Sequence, residues 1–213
     1  MEKGLHKSKG SGKMLIGGIV SLLIFFVMML GVQKEFILSF DDSIQDMFSG
    51  TGEGALHFFE GVSAMGSTAV IAGGSLLFLL WLWFVKKHYV AMAIFAVGVG
   101  GGNLLNKFVK NSIERERPVG SAEAEAMSYS FPSGHAMVGL VFYVLLAYFI
   151  TKEIKSRAAK WWISVVVLVL MLVIGVSRIA VNAHFFSDVI AGYALGAVWS
   201  LLCIYVFKKV VSQ

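Results

Sequence analysis

The sequence predicts an all-α integral membrane protein: a bundle of six transmembrane helices with a short interfacial amphipathic helix. Two observations predict it. Of the 213 residues, 57% are hydrophobic and only 15% are charged, against the ~25% charged residues of a typical soluble domain. The apolar residues also gather into six blocks, each near the ~20 residues a helix needs to cross a bilayer core. The blocks are continuously apolar and do not alternate, which favours helices over a β-barrel.

The first block, 14–32, follows Lys3, Lys7, Lys9 and Lys13. A secretory signal peptide begins the same way, but this run is long for one and no small-residue cleavage site follows, so it is expected to remain as a span. Beyond it, Phe36, Phe40, Ile44 and Phe48 recur every four residues, with Asp41, Asp42, Gln45 and Asp46 on the other face. This pattern predicts a short amphipathic helix on the outer interface; a packed loop is the plainer alternative. Spans two and three are expected at 62–85 and 89–109. The polar stretch 110–131, with Glu114, Arg115, Glu116, Glu123 and Glu125, reads as a solvated loop. Spans four to six are expected at 134–151, 161–180 and 185–207, and the whole chain, 1–213, as a single domain. Gly98 and Gly102, and Gly192 and Gly196, are four apart, a spacing that lets helices approach closely. Cys203 is the only cysteine, so no internal disulfide can form. No internal repeat or inverted symmetry of the transporter kind is visible.

Basic residues set the orientation. With the N-terminus cytoplasmic, twelve basic residues lie inside: the four N-terminal lysines, Lys86, Lys87, Lys152, Lys155, Arg157, Lys160, Lys208 and Lys209. Six lie outside: Lys34, Lys107, Lys110, Arg115, Arg117 and Arg178. The expected topology therefore has both termini cytoplasmic.

Three clusters at the expected outer ends of spans carry chemistry. They are Lys110 to Pro118 after the third span, Phe131-Pro132-Ser133-Gly134-His135 opening the fourth, and Ser177-Arg178 through His184 to Asp188 between the fifth and sixth. Topology brings the cations Lys110, Arg117 and Arg178 to one side. Arginine offers a planar fork that fits phosphate oxygens, and lysine adds a point charge. Ser133-Gly134 at a helix start adds free N–H groups and the positive end of the helix dipole. Together these describe a phosphate site. His184 and Asp188 are one helical turn apart, so the carboxylate can fix the imidazole tautomer and leave one nitrogen as a nucleophile. His135, at the same face, is available as a general acid. Each piece has a plainer reading: loop charges, a helix cap, a hydrogen-bonded pair or two metal ligands. The metal reading lacks a clear third and fourth ligand beyond His135. Ionisable groups near the membrane are costly and usually functional, and Arg178, His184 and Asp188 interrupt what would otherwise be one apolar stretch.

The Lys-x6-Arg-Pro, Pro-Ser-Gly-His and Ser-Arg-x5-His-x3-Asp motifs, in this order, resemble the type 2 phosphatidic acid phosphatase superfamily, and within it the small bacterial phosphatidylglycerophosphate phosphatases and the undecaprenyl pyrophosphate phosphatases. The resemblance implies a metal-independent lipid phosphatase without cofactor. Its partners would be a phosphorylated lipid and the bilayer, not nucleic acid. It also implies roles. Lys110, Arg117 and Arg178 bind phosphate with Ser133 and the Gly134 N–H; His184 attacks phosphorus and forms a phosphohistidine; Asp188 orients it; His135 protonates the leaving group. One departure is Val181-Asn182-Ala183, where relatives often carry a glycine, which leaves the shape of that turn open. The competing expectation is a transporter or flippase of a phosphorylated lipid, which would need the cations but not a His–Asp pair beside a second histidine.

Overall fold

A computed structural model describes residues 2–121 and 128–212, with residues 2–11 described by backbone alone. Glu123 and Glu125 of the expected loop, and the side chains of Lys3, Lys7 and Lys9, lie outside what is described. The described residues are helical with no strand. In chain order they form α1 (Glu2–Gln33), α2 (Leu38–Asp46), α3 (Glu53–Ala64), α4 (Thr68–Trp81) with a π-helical turn at Leu82–Lys86, α5 (Tyr89–Ile113), α6 (Gly134–Glu153), α7 (Arg157–Ala180) and α8 (Phe186–Val211). Six segments are long and apolar enough to cross a membrane, namely Gly12–Gln33, Glu53–Lys86, Tyr89–Ile113, Gly134–Glu153, Arg157–Ala180 and Phe186–Val211.

The second of these differs from its expected bounds. It begins at Glu53, nine residues earlier than expected, and is broken at Met65–Ser67. The break has a local cause. Ser67 adopts an extended conformation and caps α4, its Oγ accepting from the Val70 N–H at 3.4 Å, so the chain restarts a helix there. The Met65 carbonyl left over at the break accepts from the Tyr143 hydroxyl at 2.9 Å. The break matters because it places Ser63 and Gly66 at the level of the site.

Helix α8 is the hub. It packs against α1, α5 and α6. Two of the glycines expected to serve packing do so here against backbone: a Cβ on Gly192 would meet the Ser133 carbonyl oxygen at 2.7 Å, and one on Gly196 the Met137 carbonyl oxygen at 2.8 Å. Backbone cannot yield as a side-chain tip can, so these glycines set how closely the start of α6 approaches α8. One apolar cluster, with Phe95, Val141, Leu145 and Phe207, fills the end towards the termini, and a second, with Phe25, Phe131, Met137 and Leu195, lies beside α1.

The helix α2 exists, but its faces are not those expected. Phe36 and Phe40 are exposed, whereas Ile37 and Asp41 are buried and Ile44 and Phe48 pack against Ile179, Val189 and Ala136. The four-residue spacing at 36, 40, 44 and 48 overshoots the 3.6-residue turn and drifts round the helix. The stripe at 37, 41, 44 and 48 stays on one face, so Asp41, expected on the polar side, points into the protein.

Candidate active site

The predicted site residues come from four helix ends at the side of the bundle away from the termini. Lys110 is in the last turn of α5, and the segment after it carries Arg115 and Arg117. Ser133 caps α6, its Oγ accepting from the Ala136 N–H at 3.4 Å, and Gly134 and His135 open that helix. Arg178 lies in the last turn of α7, and His184 in the turn before α8. The Arg178 carbonyl accepts from the N–H groups of Ala183 (3.0 Å) and His184 (3.1 Å), which folds the turn back on itself. Asn182 takes the left-handed conformation this requires (φ 56°), and its side chain donates to the Val119 carbonyl at 2.7 Å. Asparagine tolerates that region better than most residues, so the missing glycine costs the turn little.

A cavity of about 490 Å³ lies among α4, α5 and α6. Five of the eight predicted residues line it: Lys110, Arg117, Gly134, His135 and His184. The other three stand behind its wall. Ser133 and Asp188 are fully buried, and Arg178 is 3% exposed. Arg178 donates to the Ser63 hydroxyl at 2.5 Å, and its charge reaches His184. Arg117 is braced by the Ser128 carbonyl (2.9 Å), the Ser128 hydroxyl (2.9 Å) and the Ala183 carbonyl (2.8 Å). Lys110 donates to the carbonyls of Tyr129 and Ser130. Asn106, one turn before it, holds the Pro132 carbonyl at 3.2 Å.

His184 and Asp188 do not pair as directly as their spacing suggests. The imidazole precedes α8, and its Nδ1 lies 3.6 Å from Asp188 Oδ2. Ser130 bridges them: its Oγ is 2.5 Å from Asp188 Oδ2 and 3.2 Å from His184 Nδ1. A carboxylate only accepts, so the hydroxyl proton goes to Asp188 and the Ser130 oxygen is left to accept from Nδ1–H. That arrangement leaves Nε2 with the lone pair, as a nucleophilic imidazole requires. Burial pushes the His184 imidazole down to about 4; the contact and charge of Asp188 oppose the fall, and the charges of Lys110 and Arg178 add to it. The ring is therefore neutral at physiological pH.

Asp188 also accepts from the Phe185 N–H at 2.9 Å and from Arg115 Nη1 at 2.7 Å. Arg115 is thus no solvated loop charge. Its side chain is 8% exposed, stacks 4.0 Å from the Phe185 ring and donates at 2.7 Å to the fully buried Asp41. Spacing alone missed Ser130, Arg115, Asp41 and Ser63. The visible signal for Asp41 was its place on the 3.6-residue stripe of α2; Ser130 and Ser63 carry no comparable mark.

The model of the PAP2 superfamily matches residues 91–212, which span α5 to α8 and all three motifs. The chain belongs to the PAP2 superfamily. Phosphatidylglycerophosphatase B of Bacillus subtilis (strain 168) is 28% identical over 180 residues, covering 83% of this chain and 88% of that one. A lipid A 1-phosphatase of Rhizobium johnstonii is 33% identical over 117 residues, covering 50% of this chain and 43% of that one. Among solved structures, a transmembrane PAP2-type phosphatidylglycerolphosphate phosphatase from Bacillus subtilis superimposes with a TM-score of 0.84 at 24% identity, over 91% of this chain and 96% of that one. Aquifex aeolicus LpxE gives 0.57 at 18% identity, over 79% and 94%. These structures carry the PAP2 membrane fold onto this chain, which is a multi-pass membrane protein.

Proposed function

We propose that this PAP2 protein is a phosphatase that hydrolyses a phosphate ester or diphosphate on a membrane lipid through a phosphohistidine on His184. The observation that carries the reading is the cavity. At one end it is lined by Lys110, Arg117, His135 and His184; from there it continues along the apolar walls of Ile71, Leu79, Phe95, Val99 and Val138. The lining on α4 runs from Thr68 to Leu79, roughly 16 Å of helix. A phosphorylated headgroup fits the first part and a hydrocarbon chain the second.

In the proposed reaction, Nε2 of His184 attacks phosphorus while Lys110, Arg117 and Arg178 offset the charge that builds on the phosphoryl oxygens. The bond to the leaving oxygen breaks, and His135 gives that oxygen a proton. His135 then takes a proton from water, which attacks the phosphohistidine and frees His184. Asp188, through Ser130, keeps Nδ1 protonated throughout. The names of the relatives support phosphatidylglycerophosphate or lipid A phosphate as substrates; phosphatidate and undecaprenyl pyrophosphate share the same chemistry. Phosphate release by the purified protein across these four lipids, with and without EDTA, tests the reading. We expect release from at least one, unchanged by the chelator. Release from none, or EDTA-sensitive release restored by magnesium or zinc, contradicts it.

Two side-chain predictions follow from the geometry. Arg178→Lys keeps the charge but loses the guanidinium that donates to Ser63 behind the cavity wall, and turnover should fall roughly 10- to 100-fold with insertion unaffected. Near-normal turnover would reduce Arg178 to a structural charge. The low-lying imidazole of His184 gives a pH prediction. An ordinary histidine, near 6.5, is mostly protonated at pH ~5.5, whereas this one, at about 4, stays neutral. Trapping of phosphoenzyme at pH ~5.5 should therefore match that at neutral pH; a fall tracking 6.5 would contradict the assignment.

The basic residues support an extracytoplasmic site with both termini inside. Val119, 98% exposed beside the site, and Lys155, exposed in the turn between α6 and α7, suit cysteine labelling in a Cys203→Ser background. An impermeant thiol reagent on intact cells should label Val119→Cys and spare Lys155→Cys. The reverse pattern would invert the topology.

A further inference from the structure

We propose that Asp41, on the short helix α2, is a positioning residue for the His184–Asp188 pair, acting through Arg115. The proposal rests on the phosphatase reading above.

Arg115 lies between two carboxylates. Its Nη2 donates to Asp41 Oδ2 at 2.7 Å, and its Nη1 to Asp188 Oδ1 at 2.7 Å. Asp41 is held in turn by Ser187, whose N–H donates to Oδ1 at 2.9 Å and whose hydroxyl donates to Oδ2 at 2.5 Å. The Ser187 oxygen also accepts from Arg115 Nη1 at 2.7 Å. Both carboxylates are wholly buried and Arg115 nearly so. The line from α2 to the cavity therefore runs Asp41, Arg115, Asp188, Ser130, His184, each link a hydrogen bond of 3.2 Å or less.

Geometry and charge give this line two consequences. Arg115 fixes Asp188 by Oδ1, which leaves Oδ2 to Ser130 and the Phe185 N–H and so sets the plane of the carboxylate behind the imidazole. One guanidinium shared by two carboxylates also leaves a net negative charge. Without Asp41, Arg115 would pair with Asp188 alone and offset the charge that must stabilise His184 once it is phosphorylated and cationic. Docking of α2 does not by itself explain a buried aspartate. Ile44 and Phe48 already pack the helix down, and Gln45 Nε2 donates to the Ile179 carbonyl at 3.0 Å. Replacing a buried ion pair by apolar groups is often neutral or stabilising. Asp41 lines no part of the cavity, so its loss should act on turnover and leave substrate binding alone.

The test uses the intact 213-residue chain with phosphatidylglycerophosphate, lipid A phosphate, phosphatidate or undecaprenyl pyrophosphate in phosphatidylcholine vesicles. The expected result is that Asp41→Asn lowers kcat ~10- to 100-fold, the scale on which partners behind a reacting group act, with KM within about twofold. Asp41→Glu, which keeps the charge, should recover part of the loss. Gln45→Ala, which removes only a docking contact, should turn over like wild type. Adding Asp41→Asn to Arg115→Lys should cost little more than Arg115→Lys alone, because the two act along one line. Wild-type turnover in Asp41→Asn, or an equal loss in Gln45→Ala, overturns the proposal. If Asp41→Asn does not accumulate, Arg115→Lys decides: it cannot span two carboxylates, and unchanged kcat there overturns the proposal equally. An active wild type with an inactive His184→Ala and a normal Asp41→Asn rejects this inference alone; a wild type inactive on all four lipids rejects the phosphatase reading with it.

Discussion

His184→Ala is expected to release no phosphate from any substrate, however good the leaving group. The imidazole is the group whose Nε2 is left with a lone pair by the Ser130–Asp188 relay, and it lines the polar end of the cavity. A water molecule admitted by the truncation would lack both an oriented base and the near-attack geometry that a fixed nucleophile supplies. Loss of a nucleophile that works as one unit with its partners costs on the order of 10⁶-fold in well-studied hydrolases, so background is the expected rate. The vacated space is internal and bordered by Ser130 and Asp188, so insertion and folding should persist. Residual turnover on an activated aryl phosphate would show that the bound cations alone drive hydrolysis and that no covalent step is needed.

His135→Ala is expected to behave differently on different substrates. His135 opens α6, half-buried, and lines the same cavity, close enough to the helix break that a Cβ on Gly66 would meet its ring at 3.0 Å. Its proposed work is to protonate a departing alkoxide, assistance worth roughly 10²–10⁴-fold. A lipid phosphomonoester should lose about that factor. An aryl phosphate such as p-nitrophenyl phosphate leaves as a stable anion and should be spared much of the loss, provided the cavity admits it. Equal loss on both would move His135 from proton donor to phosphate binder.

The parts of this fold that were legible in the sequence are those set by composition over ~20 residues. The six apolar blocks became six membrane-length helical segments, the second of them broken once, because a continuous apolar run in a bilayer has few alternatives to a helix. Features set by one or two residues were less legible. The break at Met65–Ser67 falls inside a run that is apolar over its full length, and it is marked only by the short Gly66-Ser67-Thr68 stretch, with Ser67 as the cap. The face of α2 turned on the difference between a spacing of four and a turn of 3.6 residues, and with it went the burial of Asp41.

The site divides the same way. The three motifs bring Lys110, Arg117, Gly134, His135 and His184 to one cavity, because topology gathers alternate helix ends. What spacing could not give was the second layer. His184 and Asp188 looked sufficient at one helical turn, but the imidazole precedes α8, and the gap is closed by Ser130 from a separate segment. Arg115 lies two residues before Arg117 in a charged stretch that reads as solvated, and its partner is 74 residues away in sequence. Ser63, which holds Arg178, comes from a helix that lies outside the part of the chain matched by the PAP2 model.

The covalent intermediate tests the central claim most directly. A lipid substrate labelled with radioactive phosphorus, mixed with excess enzyme and quenched in denaturant within one turnover, should leave label on the wild-type chain. The label should be acid-labile and base-stable, as a phosphohistidine is, and should map to the peptide that contains His184. It should be absent from His184→Ala and present on His135→Ala with the aryl substrate. Label on His184→Ala that vanishes in His135→Ala would reverse the two histidines, and phosphate release without any trapped label would contradict the covalent route.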